Sequence, residues 1–275
     1  MRWRARVAAV SAAGAASCYV WTRVSGPAMR SSEPEEVRCR RLGLPTPDAA
    51  QKMRVVRLKR FVSDVEIEAI KAHVADVRAC HLVGTLERSE SGRTQQNGVW
   101  RTAYLHTNGA FKAALPTLFD KMRKTIEEVD VSSGWEVMGA FSKESLNFRT
   151  IECHEYHAGA RLADAKHFDA GSLITMDVML QDPGSDFSGG EFITAEADGT
   201  VTTHTFEKGD CLLFVSHKRH NVRPVTKGKR MALVAEIWHG EEKTCAHRCA
   251  KLEPCTYTLA RSHMAQTAQK VAMLG

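Results

Sequence analysis

The sequence predicts an α+β fold that is mainly β, a sandwich or jelly roll supported by helices N-terminal to it. Three observations predict it. From residue 146 onward short β-type runs recur, at 147–156, 173–180, 191–193, 199–205, 210–215, 221–225 and 230–238. Turn signals separate them: Asp182-Pro183-Gly184, Ser188-Gly189-Gly190, Lys208-Gly209-Asp210 and Lys227-Gly228. The helical periodicities all fall before that point.

Taken in order, residues 1–30 look like an addressing segment. Arg2, Arg4 and Arg6 precede an uncharged, Ala-rich run over 7–21, and no acidic residue appears before Glu33. This pattern fits a secretory signal or a short signal-anchor. It predicts the endoplasmic reticulum or secretory pathway, with attachment to the membrane through 7–21 in the anchored case. The run is shorter than the roughly 20 residues of a full span. Arg and Ser enrichment without acids leaves a mitochondrial or plastid transit peptide as the alternative. Residues 31–53, with Pro34, Gly43, Pro45 and Pro47, read as a linker.

The folded domain is expected over 54–240, with its core at 146–240. Residues 55–58 form a short strand. Ser63-Asp64 then caps a helix carrying Val65, Ile67, Ile70 and Val74 at near-helical spacing. The polar stretch 84–98 reads as an exposed loop, and 99–105 as a strand. Phe111, Leu115, Leu118, Phe119, Met122 and Ile126 mark one long amphipathic helix over 111–129.

Residues 241–275 form a tail where Cys245, Cys249 and Cys255 cluster with His247. Disulfides or free thiols come ahead of zinc, because no Cys-x-x-Cys pair is present and the fourth ligand is uncertain. Of eight cysteines, Cys18 lies in the addressing segment, so an odd number remains and one thiol stays unpaired. The net charge of +6 is uneven: residues 1–60 hold 13 Lys/Arg against 4 Asp/Glu, leaving the rest slightly acidic. A nucleic-acid partner is not expected, since such proteins concentrate basic charge on the folded face.

The chemistry centres on Lys166-His167-Phe168-Asp169 and on His220. On a strand, His167 and Asp169 project from one face while Phe168 turns into the opposite layer. A second imidazole from a later strand completes two His and one carboxylate on one side of a metal. That set suits Fe(II) and leaves positions open for a chelating co-substrate and oxygen.

Further signals accompany it in a fixed order. Tyr156-His157-Ala158-Gly159 precedes the motif, and Leu173-Ile174-Thr175 follows it. Then come Phe187-Ser188-Gly189-Gly190-Glu191-Phe192, Gly209-Asp210-Cys211-Leu212-Leu213-Phe214, His220, Pro224-Val225, Gly228 and Arg230. The ordered set, over about residues 146–240, resembles the Fe(II)/2-oxoglutarate dioxygenases of the prolyl 4-hydroxylase type.

The resemblance implies a double-stranded β-helix, with His167, Asp169 and His220 as iron ligands. It implies Arg230 as the cation for the distal carboxylate of 2-oxoglutarate. A guanidinium suits a carboxylate because it binds through two parallel hydrogen bonds. Lys229 is the neighbouring competitor. Tyr156 and Thr175 could hydrogen-bond the co-substrate through their hydroxyls; the plainer account of Tyr156 is a half-buried strand aromatic, and of Thr175 simple β-propensity. Alternation puts Leu173, Thr175, Asp177 and Met179 on one face, and a buried Asp177 would need a partner. Gly189-Gly190 is expected to supply positive φ. His154, His157, His204 and His217 are expected to be satisfied or exposed, and Trp238 to be core.

The implied activity is hydroxylation of an unactivated C–H bond, most readily of a peptidyl proline, with succinate and CO2 as co-products. Fe(2+), 2-oxoglutarate, O2 and ascorbate (vitamin C) are the implied cofactors, and a protein or peptide is the implied partner. Lysyl, free amino-acid and nucleic-acid substrates are the alternatives. A jelly-roll binding module without turnover is the non-enzymatic alternative, opposed by the joint presence of all three ligands and Arg230. A structural zinc protein built on the tail cysteines has less support.

Overall fold

The structure is a computed structural model that describes residues 35–79, 85–89, 99–162, 164, 166–249, 251 and 255. Contacts divide the chain into two compact units, residues 1–38 and 39–275, and the features below, apart from the start of the first helix, lie in the second.

Residues 31–53 do not form a plain linker. Helix α1 (Glu35–Leu42) ends there, and α2 (Pro47–Gln51) follows. Cys39, Leu44 and Ala50 are buried in the main core. Composition misled because Pro47 starts a helix here: it occupies the first turn, where its missing N–H costs nothing, and Thr46 Oγ1 accepts from Ala49 N at 3.2 Å.

Strand β1 (Val56–Leu58) leads to α3 (Asp64–Ala79). Ser63 and Glu66 cap α3 reciprocally. Ser63 N donates to Glu66 Oε2 at 2.8 Å, and Glu66 N donates to Ser63 Oγ at 3.3 Å. Part of the expected loop 84–98 is strand: β2 (Thr85–Ser89) pairs antiparallel with β3 (Val99–Tyr104). Polar composition is compatible with a strand at the end of a sheet. Residues 90–98 lie outside the described residues.

The expected single helix over 111–129 is two, α4 (Ala110–Ala114) and α5 (Pro116–Ser132). Pro116 disfavours helical backbone at Leu115, which sits at φ −131°, ψ 56°.

Eight further strands build the domain. They are β4 (Leu146–His157), β5 (Ile174–Met179), β6 (Phe187–Gly189), β7 (Phe192–Ala195), β8 (Val201–His204), β9 (Cys211–Val215), β10 (His220–Val222) and β11 (Val225–His239), after β1 to β3, giving eleven in all. The larger sheet runs β1-β9-β5-β11-β4-β3-β2, with β6 beside β11, and the smaller runs β10-β7-β8. All strand pairs are antiparallel. The turn expected at Lys227-Gly228 is inside β11, which irregular pairing with β6 carries through that point. Likewise Ser188-Gly189 belongs to strand β6 rather than to a turn.

The two faces of the larger sheet differ. One packs Ile67, Ile70 and Val74 of α3 and Phe119, Met122 and Ile126 of α5 against Met176, Val178, Leu233 and Ala235. The other turns towards the smaller sheet through Tyr156, Phe192, Phe214 and Val222. Alternation in β4 changes phase at Arg149, which the ladder steps over where Thr150 pairs with Glu236 and Phe148 with Ile237. This bulge moves the core positions from Leu146 and Phe148 to Ile151 and Cys153, so that Glu152, His154 and Tyr156 face the second layer.

Gly189 and Gly190 have φ of 74° and 69°. A Cβ on Gly189 would run into the Pro224 carbonyl oxygen, and one on Gly190 would meet Arg230 Cδ at 3.1 Å. Gly189→Ala is expected to cost about 1–3 kcal/mol or more, from backbone strain plus the collision. Urea unfolding of the two proteins measures it, and an unchanged midpoint would contradict the turn geometry.

Candidate active site

Between the two layers lies a cavity of about 320 Å3. Period-two alternation supplies its wall from the larger sheet. Trp100, Thr102 and Tyr104 come from β3, Thr175 and Asp177 from β5, and Arg230, Val234 and Glu236 from β11. On β5, Met179 also leaves the helix-packed face, whereas Leu173, just before the strand, stays in the main core.

His167, Asp169 and His220 meet at this cavity, each placing a ligand atom within 4.8 Å of the others. Nε2 of His167 lies 3.4 Å from Asp169 Oδ1, and Nε2 of His220 lies 3.7 Å from Asp169 Oδ2. The motif is not on a strand, contrary to expectation. Its irregular backbone is held by Asp169 N donating to Ser216 O and His220 N donating to His167 O, at 2.8 and 3.1 Å. For the same reason Phe168 does not enter the opposite layer. It lines the cavity and meets the His217 ring edge-on.

The surroundings orient each group. His220 Nδ1 faces Lys218 O at 3.0 Å, so it donates there and leaves Nε2 with its lone pair towards the cavity. Burial pushes the His220 pKa down to about 4, which keeps the imidazole neutral at ordinary pH. Burial opposes ionisation of Asp169, but His220 and His167 outweigh it and hold the carboxyl well below its usual range. Thr175 Oγ1 donates to Asp169 Oδ2 at 2.7 Å. This donor set, two neutral-capable imidazoles and one oriented carboxylate, fits Fe(II).

Arg230 projects into the same cavity from β11, opposite Tyr156 in the register of β4, and is 1% exposed. Its NH2 lies 3.6 Å from Asp177 Oδ2. Nε and NH2 of Arg230 have no hydrogen-bond partner, nor has Oδ1 of Asp177. A buried guanidinium with unused donors, aimed into a cavity, fits an anionic guest. Asp177 thus has its partner, and burial raises its pKa against the pull of Arg230. Lys229 faces away from this set and binds Glu155 at 2.9 Å. Tyr156 stacks on Trp100 at 4.9 Å between ring centres, and burial pushes its phenol pKa up.

The model of the aspartyl/asparaginyl beta-hydroxylases matches residues 65–240, more than half of the chain. The chain belongs to the aspartyl/asparaginyl β-hydroxylase family. The sequence resemblance to Fe(II)/2-oxoglutarate oxygenases is borne out. A PKHD-type hydroxylase of Idiomarina loihiensis is 44% identical over 55 residues, 20% of this chain and 25% of that protein. The match thus spans about a quarter of the curated relative.

Among solved structures, a Trichoplax adhaerens prolyl hydroxylase, solved with a hypoxia-inducible-factor peptide fragment, is 14% identical with a TM-score of 0.50. The likeness covers 76% of this chain and 94% of that one. It shows the fold, a double-stranded β-helix. A Burkholderia pseudomallei oxidoreductase of the 2OG-Fe(II) oxygenase family is similar at 13% identity and a TM-score of 0.48, over 77% of this chain and 93% of that one.

In this member of the family, sequence reasoning missed the Glu236–Arg248 pair in the cavity wall. Arg248 Nε lies 2.6 Å from Glu236 Oε1, and its NH2 2.7 Å from Oε2. Counting two by two along β11 from Arg230 reaches Glu236, so the signal was present. Arg248 lies in the tail and had none. His154 lines the wall, where Trp100 Nε1 donates to its Nδ1 at 2.9 Å. His157, His204 and His217 stand outside the set of three: His157 faces Glu155 at 3.9 Å, His204 meets Thr194 Oγ1 at 2.7 Å, and His217 Nε2 accepts from Gly171 N at 3.1 Å. Trp238 is core, with Nε1 donating to Glu241 O.

Thr175→Val keeps the shape of the wall but removes the donor to Asp169. A metal titration is expected to show affinity for divalent iron lowered about 10–100-fold. Equal affinity would make Thr175 a packing residue only.

Proposed function

We propose that the chain is an Fe(II)- and 2-oxoglutarate-dependent dioxygenase that hydroxylates an unactivated C–H bond in a protein or peptide. One observation carries this reading: the convergence of His167, Asp169 and His220 lies in the same cavity as the unused donors of Arg230. His167, Asp169 and His220 would hold the iron. When bound, it supplies the oxygen activation that couples conversion of 2-oxoglutarate to succinate and CO2 with substrate oxidation, which no side chain can do alone.

The chain's own residues do the rest. Arg230 takes the far carboxylate of 2-oxoglutarate and so fixes its orientation. Tyr156 and Thr175 flank that guest. Thr175 also holds the Asp169 carboxylate, and Lys218 O holds the His220 ring. Phe192, Phe214 and Val222 line the cavity with apolar surface, which keeps water away from the reacting bond. Ascorbate serves as reductant in this reading.

A peptidyl proline is the first substrate proposed, and it is supported by the resemblance to prolyl 4-hydroxylases. A peptidyl aspartate or asparagine is the second, favoured by the family model. The address over residues 1–30, including attachment through 7–21, lies outside the described residues. Among those described, no helix is long and apolar enough to cross a membrane. A secretory location is proposed on the sequence pattern alone, and a fluorescent fusion of residues 1–35 that stays cytosolic would remove it.

The activity test supplies the full chain with Fe(II), 2-oxoglutarate and ascorbate, and follows succinate and peptide mass over a panel containing proline, aspartate and asparagine. A mass gain of one oxygen on one peptide class, matched by succinate, is expected. Absence of substrate-dependent succinate with every peptide would favour the binding-module alternative.

A further inference from the structure

The tail after β11 brings together a second set of donors, away from the first. Cys245, His247, Cys249 and Cys255 each place one ligand atom within 4.8 Å of the others. All three cysteines are buried, and none is in a disulfide. They form a small cluster by themselves, apart from both cores, so filling a hydrophobic core does not account for their burial. Cys255 Sγ lies 3.7 Å from His247 Nε2. In a tetrahedral zinc site, Zn–S and Zn–N bonds of roughly 2.3 and 2.0–2.1 Å put sulfur and nitrogen about 3.6 Å apart.

We propose that Cys245, His247, Cys249 and Cys255 form a closed Cys3His zinc site that clamps the tail onto the wall of the candidate active site. The pattern Cys-x-His-x-Cys-x5-Cys contains no Cys-x-x-Cys unit, which is why the sequence placed disulfides or free thiols first. The structure reverses that order. A disulfide would use two sulfurs and leave the third thiol outside the bond, although its sulfur lies within the same 4.8 Å of the other two. Three soft thiolates and one imidazole select zinc over the hard oxygen-seeking cations. Four donor atoms this close enclose one ion and leave no space for a cluster of several irons.

The clamp has a definite attachment. Arg149 Nε donates to Cys249 O at 2.7 Å, and Arg149 NH1 donates to Ala170 O at 2.6 Å. Arg248, between two of the ligands, donates to the same Ala170 carbonyl at 3.1 Å and pairs with Glu236 of β11. Ala170 follows Asp169 directly. The site therefore fixes the backbone beside the first metal set and places Arg248 in the cavity wall. All four ligands come from the chain, so no position remains for water or substrate, and the role is structural.

The experiment uses the full chain made with zinc in the medium, in wild-type form and as His167→Ala, which disables the first metal set. Zinc-edge X-ray absorption of His167→Ala is expected to show three sulfurs and one nitrogen, at one zinc per chain. Cys249→Ser should lose that zinc. In the loaded wild type, Cys245, Cys249 and Cys255 should resist alkylation and become reactive after chelation; this arm needs no variant to fold. A zinc shell of oxygen and nitrogen only would overturn the proposal. So would alkylation that is indifferent to zinc, or a disulfide among the three in the intact mass. None of these outcomes depends on turnover, so the clamp and the proposed dioxygenase activity stand or fall separately.

Discussion

Asp169→Ala is expected to abolish turnover and to lower iron affinity by more than about 100-fold. That is the range in which loss of groups merely supporting metal ligands already operates. Asp169 is the centre of the set, 3.4 Å from His167 Nε2 and 3.7 Å from His220 Nε2. It is the only anionic member, and its removal leaves two imidazoles with no charge to offset a dication. Thr175 Oγ1 then also loses its acceptor, although Ser216 Oγ at 2.9 Å remains. Substrate-linked succinate and iron titration check the prediction together. Turnover that survived Asp169→Ala would end the proposed assignment of ligands.

Arg230→Ala carries the second large effect. Each charge-assisted hydrogen bond to an ion is worth roughly 1.5–3 kcal/mol. Losing two should raise the KM for 2-oxoglutarate on the order of 10²–10⁴-fold, at about tenfold per 1.4 kcal/mol. Iron binding should stay near wild type. Asp177 loses its partner in the variant, but burial already raises its pKa, so it can take up a proton instead of remaining a lone buried anion. Arg230→Lys should recover part of the loss, since it keeps the charge but not the planar fork. Lys229→Ala is the control. Its amine is occupied by Glu155, so the 2-oxoglutarate requirement should not move. A rise with Lys229→Ala and none with Arg230→Ala would exchange their roles.

Much of the architecture could be read from residue order because strands announce themselves by period and their turns by glycine. Thr175 and Asp177 share a face in the sequence and in the fold for the same reason, the pleat. His167, Asp169 and His220 were legible as a set only with their neighbours, and their geometry arises differently from the expectation. An irregular segment, not a strand, aims His167 and Asp169, and its hydrogen bonds run to Ser216 and His220, about fifty residues away. Such long-range pairing leaves no local trace. The break at Leu115 was written in Pro116, but apolar periodicity continued across it and hid the stop. Arg248 was hidden for another reason: its partners Glu236 and Ala170 are brought near only by folding. The polar β2 looked like a loop because an edge strand carries little of the apolar pattern that betrays a central one.

Strand β11 carries both Arg230 and Glu236, and irregular pairing brackets the stretch between them, at Val225/Lys227 and at Glu236/Ile237. The consequence concerns which sequence changes the domain can survive. Inserting or deleting one residue between 229 and 236 would turn one end of the strand over, exchanging wall for helix-packed core. A length change at either bracketing point meets backbone that already departs from the ladder and can absorb it. The strand therefore behaves as a ruler with slack only at its ends: replacements along it are negotiable one at a time, while its length between the two marks is not.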